Sequence, residues 1–297
     1  MDDKIRLFHL PFSFMLPQKV AVERGYFEDR GLTVELLERD RGDVRWKYIP
    51  GEESLTNDYD VDVYPICKWE SIKRTWDMDD GRIIAKGTFA DQPYTIYVRP
   101  DSELTDPSDL ANVPVGINRR TGQEYTVLRA LEEHVPADEI ELEHHGMPTN
   151  RLGALRNGDV EAVSLLEPQS TLAEALGFRP VLEFENHMGI VGADTVTEDV
   201  LERFVEGYTR ATEEINENPA EYREAYLEML ELDAEVDPEL FEAIDYDSLL
   251  ADVEVPTYEP PKVADSEELH EQLSWMKRRD LIDDAADIEA IIAPLGQ

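Results

Sequence analysis

Lys4-Ile5-Arg6-Leu7-Phe8-His9-Leu10, a break at Pro11, an apolar-spaced run around Val20-Ala21-Val22 and Phe27, then Leu32-Thr33-Val34-Glu35-Leu36-Leu37: this opening stretch decides the fold. The two outer segments carry the β-branched and apolar content of short strands. The middle, residues 15–29, has helical spacing, and Gly25 stands near its end. Strand, helix and strand within so short a span predict a parallel pair joined by a right-handed crossover.

The same alternation continues outward. Strands are expected at 61–66, 83–85 and 94–98, before breaker clusters at Arg99-Pro100-Asp101-Ser102 and Asp106-Pro107-Ser108-Asp109. A second α/β set follows. Its strands are 113–117, 140–142, 160–165 and 180–182, and its helices are 121–133, 151–157 and 168–176. After Met188 the pattern changes to amphipathic helices at 198–216 and 219–230. A weakly structured stretch follows around Pro256 to Pro261, and two closing helices are expected at 266–279 and 285–293.

The chain's 297 residues suit two lobes of about 150 residues each. Sixty-seven Asp and Glu oppose 28 Lys and Arg, for a net charge of −39. A field of that sign repels phosphate, so no nucleic acid and no anionic membrane surface is expected as a partner. The acids are spread among regular apolar positions, which reads as a halophilic, acidic surface on a folded chain rather than as a disordered tail. One cysteine, Cys67, excludes an intrachain disulfide. No apolar run approaches the ~18 residues of a membrane helix, so no membrane insertion is expected. Met1-Asp2-Asp3-Lys4 leads straight into a strand, without the basic start and apolar stretch of an export signal. The expectation is a cytoplasmic protein as written, or an extracytoplasmic one if a leader was removed.

Four segments, in order, resemble ABC-transporter solute-binding proteins of the sulfonate/nitrate/taurine type, whose fold is shared by thiamine-pyrimidine synthase-like proteins. They are Val20–Leu32 with its Gly-Tyr-Phe and Gly-Leu, Asp109-Leu110 through Val115-Gly116, Leu155 through Ala162 with Glu167-Pro168, and Ile215 through Asn218-Pro219. The resemblance implies an α/β, type II periplasmic-binding-protein-like fold, with two α/β lobes, a ligand cleft and a C-terminal helical extension. Residues 1–98 plus 188–297 would form lobe one and 99–187 lobe two. The ligand would sit between them at strand C-terminal ends, as in open α/β sheets generally. The pyrimidine-synthase branch works through a cysteine-rich motif, which a chain with one cysteine does not supply.

His9 and Phe12 follow the first strand and are expected at the cleft. His9 is either a titratable donor to ligand or a buried histidine satisfied by backbone; Phe12 and Phe14 are either an apolar wall or core. After the third strand, Lys68 would neutralise an anion or, less readily, form a Schiff base. Trp69 offers a stacking surface, and Cys67 reads as a small buried thiol. Asn118-Arg119-Arg120-Thr121-Gly122-Gln123-Glu124 has Thr-x-x-Glu capping-box spacing. That puts the free N–H groups of Gly122 and Gln123, with Asn118 and Arg120 beside them, at a positive helix end suited to a carboxylate, sulfonate or phosphate. The alternative is surface ion pairing of the two arginines. Glu167 would accept from a ligand amine or hydroxyl. His144, His145 and His187 lack metal-ligand spacing, and no phosphate- or dinucleotide-binding glycine pattern occurs, so neither metal nor cofactor is expected.

These readings converge on a binding protein for a small anionic or zwitterionic organic solute, either the receptor of an ABC importer with membrane subunits as partners or a cytoplasmic relative. Two rivals stand beside it. One is an enzyme on the same scaffold using His9, Cys67 or Lys68; the other is a sensor reporting ligand state to a partner.

Overall fold

The computed structural model of this chain describes residues 3–38, 54–89, 94–242 and 244–293; Met1 and Asp2, on which the export-signal reading rests, lie outside the described residues. The first part runs β1 (Asp3–His9), α1 (Leu16–Glu23), β2 (Leu32–Glu38), α2 (Leu55–Asp58), β3 (Val63–Cys67), α3 (Lys68–Asp77) and β4 (Arg82–Phe89). Then come β5 (Tyr94–Val98), β6 (Pro114–Ile117), α4 (Gly122–Leu131), β7 (Glu141–His144), α5 (Pro148–Asn157), β8 (Ala162–Leu165), α6 (Gln169–Ala175) and β9 (Arg179–Phe184). The chain closes with β10 (His187–Gly192), α7 (Glu198–Glu217), α8 (Arg223–Val236), α9 (Pro238–Phe241), α10 (Tyr246–Asp252), β11 (Tyr258–Val263), α11 (Ser266–Arg278) and α12 (Ile288–Ile291).

Two sheets result, one per lobe. The first has strand order β11-β4-β10-β3-β1-β2 and the second β7-β6-β8-β5-β9. β1 pairs parallel with both β2 and β3, so the opening β-α-β expectation holds. β6 likewise pairs parallel with β7 and β8. One strand in the second sheet and two in the first, β10 and the edge strand β11, run against this grain. β5 is antiparallel to β8 and β9, and β10 is antiparallel to β3 and β4. β5 and β10 are the strands on which the chain enters the second sheet and returns to the first.

Besides the short helices α2, α9 and α10, which the sequence reading does not expect, three strands differ from it. Tyr94–Val98, expected at the end of lobe one, lies inside the second sheet. All five of its residues are buried, so both its edges need partners, which β8 and β9 supply. β10 is not expected from the sequence, because Gly189 and Gly192 dilute its β signal. Gly189 is there for room: a Cβ would stand 2.7 Å from Ser71 Oγ on α3. The Pro256–Pro261 stretch contains β11. Proline cannot donate to a ladder, but β11 is an edge strand, and its register breaks between Glu259 and Lys262 around Pro260-Pro261.

The lobes share apolar cores. One cluster joins Leu7, Ala21 and Phe204 of lobe one to Leu152, Leu165 and Leu172 of lobe two through Tyr226, Leu227 and Leu230 of α8. Another packs Trp69, Ile72, Trp275 and Met276 with Tyr125 of α4. Each such side chain contributes roughly 1.5–3 kcal/mol on full burial, so apolar packing joins the lobes at two places. Among the described residues, no helix is long and apolar enough to cross a membrane.

Candidate functional site

β1 and β3 end at His9 and Cys67, and β6 and β8 end at Ile117 and Leu165. Residues just past these ends, with others on α4, α11 and β11, take part in the contacts at the lobe junction. The Ser13 hydroxyl donates to Glu167 O at 2.8 Å, and Tyr258 OH donates to Ser13 O at 2.7 Å. On the other side α3 meets α4. Trp69 Nε1 donates to Thr126 Oγ1 at 3.0 Å, and the Cys67 thiol lies 3.5 Å from Asn186 Oδ1. From α11, Trp275 Nε1 donates to Glu132 Oε2 at 2.9 Å, and Arg279 pairs with Glu132.

Arg151 lies in lobe two and is only 1% exposed. Its Nε donates to Ser164 O at 2.7 Å and its Nη1 to Gly146 O at 2.6 Å, while Nη2 has no hydrogen-bond partner among the described residues. No carboxylate among those residues pairs with it. Burial pushes the guanidinium down to about 9, and Tyr94 pulls it back up. A buried cation held by two neutral carbonyls, with a donor unused, is costly unless an anion completes it.

The groups around Arg151 are donors. Gln123 Nε2 reaches the same Ser164 carbonyl at 3.2 Å, and Gln123 Oε1 accepts from Asn118 N at 3.1 Å. The Tyr94 phenol is buried where the chain enters lobe two. Burial raises its pKa most and Cys67 adds to that, while Asn186 and Arg151 draw it back down. The chain crossings thus bring Tyr94 and Asn186 beside Cys67 of lobe one, and the first turns of α3 and α4 add two positive helix ends.

The expected site residues fall within and around this cluster. Thr121 caps α4, but its hydroxyl accepts from Gln123 N at 3.2 Å, and Glu124 accepts from Arg120 N at 2.6 Å, so the capping box is shifted by one residue. Arg120 is exposed in a left-handed turn, at φ 60°. Arg119 donates to Leu142 O at 2.5 Å. Gly122 packs on Cys67, and the Asn118 amide reaches Met147 Sδ at 3.9 Å. His9 is 4% exposed and accepts from Gln18 Nε2 at Nδ1, 2.8 Å away. That bond assigns its proton to Nε2. Burial, then Lys19, pushes its pKa down to about 4, so it is neutral at pH 7. Phe12 stacks on Phe14 at 5.3 Å. Trp69 is buried against Trp275, centroids 4.7 Å apart, so its ring lies within the lobe contact. Lys68 Nζ lies 4.9 Å over the Trp69 ring, and burial lowers its pKa. Glu167 Oε2 accepts from Thr171 N at 3.1 Å and from Thr171 Oγ1 at 2.8 Å, and burial pushes its carboxyl up to about 7.

Sequence reasoning missed Arg151, Tyr94 and Asn186. Arg151 stands in the polar helix start Pro148-Thr149-Asn150-Arg151-Leu152, where an arginine reads as a solvated side chain, so the local sequence carries no signal for it. The thiol of Cys67 is pushed up by burial and His9 hydrogen-bonds Gln18, so neither makes a nucleophile–base pair with the other. Among the described residues, no group of His, Cys, Asp and Glu is placed to hold a metal ion.

No family model matches the chain, and no curated protein matches it. Solved structures do. The periplasmic aliphatic sulphonate binding protein SsuA from Escherichia coli is 14% identical, with a TM-score of 0.75 over 100% of this chain and 94% of that one. The alkanesulfonate-binding protein SsuA from Xanthomonas axonopodis pv. citri, bound to MOPS, is 13% identical, with a TM-score of 0.70 over 98% of each chain. The desulfurization enzyme DszB is 16% identical, with a TM-score of 0.55 over 98% of this chain and 96% of that one. At such identities the likeness establishes the fold: this chain has the two-lobed α/β architecture of the periplasmic binding proteins.

Proposed function

We propose that this protein is a solute-binding protein that closes its two lobes on a small organic anion, in the manner of the substrate-binding components of sulfonate ABC importers. The observation that carries this reading is Arg151, a buried guanidinium whose Nη2 has no partner and which has no carboxylate beside it among the described residues. The anionic head would take Nη2, with the Tyr94 phenol as a neutral donor and the positive first turn of α4 beside it. A carboxylate, a sulfonate or the sulfonate of a zwitterion satisfies that chemistry. The absence of a nucleophile–base pair between Cys67 and His9 favours binding over turnover. In an importer, the membrane subunits of the transporter would be its partners.

The test is calorimetry with two probes, MOPS and ethanesulfonate, on the full chain and on Arg151→Met and Arg120→Ala. Arg151→Met should abolish binding of either probe, while Arg120→Ala keeps it. Equal losses in both variants, or undiminished binding by Arg151→Met, would overturn the assignment. Native mass spectrometry of the purified protein then identifies any co-purified anion.

A further inference from the structure

α4 belongs to two cores. Val127 and Leu131 join Ile96, Val115 and Ile117 of the second sheet. Tyr125 and Leu128 of the same helix pack with Trp69, Trp275 and Met276 of lobe one. Lobe one touches α4 along its length. The first residue, Gly122, abuts Cys67. One turn on, Thr126 Oγ1 accepts from Trp69 Nε1 at 3.0 Å. At the far end the Glu132 carboxylate accepts from Trp275 Nε1 at 2.9 Å and pairs with Arg279. An acid at the C-terminal end of a helix is opposed by the helix dipole. The two groups that answer it come from α11 and the residue after it, on the other lobe. α11 itself is fixed to lobe one. Lys86 of β4 pairs with Glu268 at 2.8 Å. Lys277 Nζ donates to Asp284 O and Ala286 O, both at 2.7 Å, and folds the chain back toward α12. Lys73 Nζ of α3 donates to Leu281 O at 2.9 Å, and Ala293 N donates to Ile83 O at 2.9 Å.

We propose that α11 is a strap that governs how readily the lobes part, and that Glu132, Trp275 and Arg279 are its catch. The strap is a property of the lobe contact and is independent of the ligand reading above. The rings of Trp69 and Trp275 lie 4.7 Å apart, so one aromatic pair grips α4 at two points, Thr126 and Glu132. Cys67 reports on that grip. The chain's one cysteine is 9% exposed, against Gly122, with Asn186 Oδ1 3.5 Å and Thr126 Oγ1 3.7 Å from its sulfur. While the catch holds, α4 lies on α3 and the thiol is shielded. When it releases, α4 keeps its packing on the second sheet and moves off with lobe two, and the thiol meets solvent. The anchors of α11 are all within lobe one, so they survive the parting. Opening of this kind is local and leaves both cores folded.

The experiment is the rate at which a neutral dipyridyl disulfide modifies Cys67 in the full chain, for the native protein, Glu132→Ala, Trp275→Phe, the double variant and Arg129→Gln. A neutral reagent avoids the repulsion that an anionic one meets from a net charge of −39. Glu132→Ala should raise the rate at least about tenfold, the factor expected from losing a hydrogen bond to a charged group. Trp275→Phe keeps the ring, loses the N–H and should raise the rate less; it supplies the same reading should Glu132→Ala fail to fold. The double variant should react no faster than Glu132→Ala, since both changes remove one catch. Arg129 pairs with Glu133 at 3.1 Å on the exposed side of α4, and Arg129→Gln should keep the native rate. The faster rate should not change with urea well below the unfolding transition, because the lobes part without unfolding. A native rate in both Glu132→Ala and Trp275→Phe, an acceleration shared by Arg129→Gln, a double variant faster than Glu132→Ala, or an acceleration that appears only as urea unfolds the chain would each overturn the proposal.

Discussion

Gly122, the first residue of α4 in lobe two, lies so close to Cys67 at the start of α3 in lobe one that a Cβ would stand 2.4 Å from both Cys67 Cβ and Sγ. Two helices meet here N-terminus to N-terminus, and only a residue without a side chain lets them. Gly122→Ala should therefore hold the lobes apart. The buried Cys67 thiol should then react faster with a disulfide reagent, and affinity for MOPS should fall. Cys67→Gly in the same chain removes the obstacle and should restore closure, a coupling that a double-mutant cycle reads directly. Thiol reactivity in Gly122→Ala no faster than in the native chain would sink this account.

The fold is legible where periodicity and strand chemistry coincide. β1, α1 and β2 carry enough signal in residues 4–37 to fix a parallel unit. β10 and β11 are not legible, since each is a strand by virtue of its neighbours. Gly189 is needed under Ser71, and Pro260-Pro261 are tolerated at an edge. For the site, the capping residues identify the first turn of α4, but they point to Arg120, next in sequence, as its cation rather than to Arg151. Nothing in a one-dimensional pattern says that Arg151 points inward at Ser164 O. That follows only once β8 and α5 are packed together. Trp69 reads as a ligand platform because it follows a cleft strand; its partner Trp275 comes from a helix near the other end of the chain, which the local sequence does not show.

His9 should make stability depend on pH. Its folded value, about 4, lies below the ordinary 6.5, so its contribution is complete above pH 6.5 and is lost as pH falls toward 4. The full loss is on the order of 3 kcal/mol, from about 1.4 kcal/mol per unit. His9→Gln should flatten that part of the unfolding free energy against pH. If native chain and variant run parallel from pH 7 to 4, His9 is not held neutral by burial.

Asp80 anchors α2 to the end of α3. Its carboxylate accepts from Ser54 Oγ at 2.7 Å, Leu55 N at 3.1 Å, Thr56 N at 2.9 Å and Thr56 Oγ1 at 2.6 Å, and Arg74 Nη1 lies 3.8 Å away. Both Asp80 and Arg74 are fully buried. Asp80→Ala should cost about 3–5 kcal/mol, because it takes a carboxylate from a buried guanidinium that Glu70 also pairs with, and uncaps a helix at once. Denaturant unfolding measures it, and a loss under about 1 kcal/mol would mean that the network carries no more weight than an exposed pair.

The charge imbalance gives the last prediction. With 67 acidic against 28 basic side chains, most carboxylates find more repulsion than pairing, and the surface ion pairs that do form are individually worth little. Raising salt from about 0.15 to about 1 M shortens the screening length from about 8 to about 3 Å. Repulsion between unpaired acids acts over longer distances than contact ion pairs do, so it should be screened more. The melting temperature should therefore rise steeply with KCl, and nearly as steeply with choline chloride, if screening is the cause. A rise with KCl alone would point instead to specific cation binding by carboxylates, and a melting temperature indifferent to both salts would mean that the acidic excess does not strain the fold.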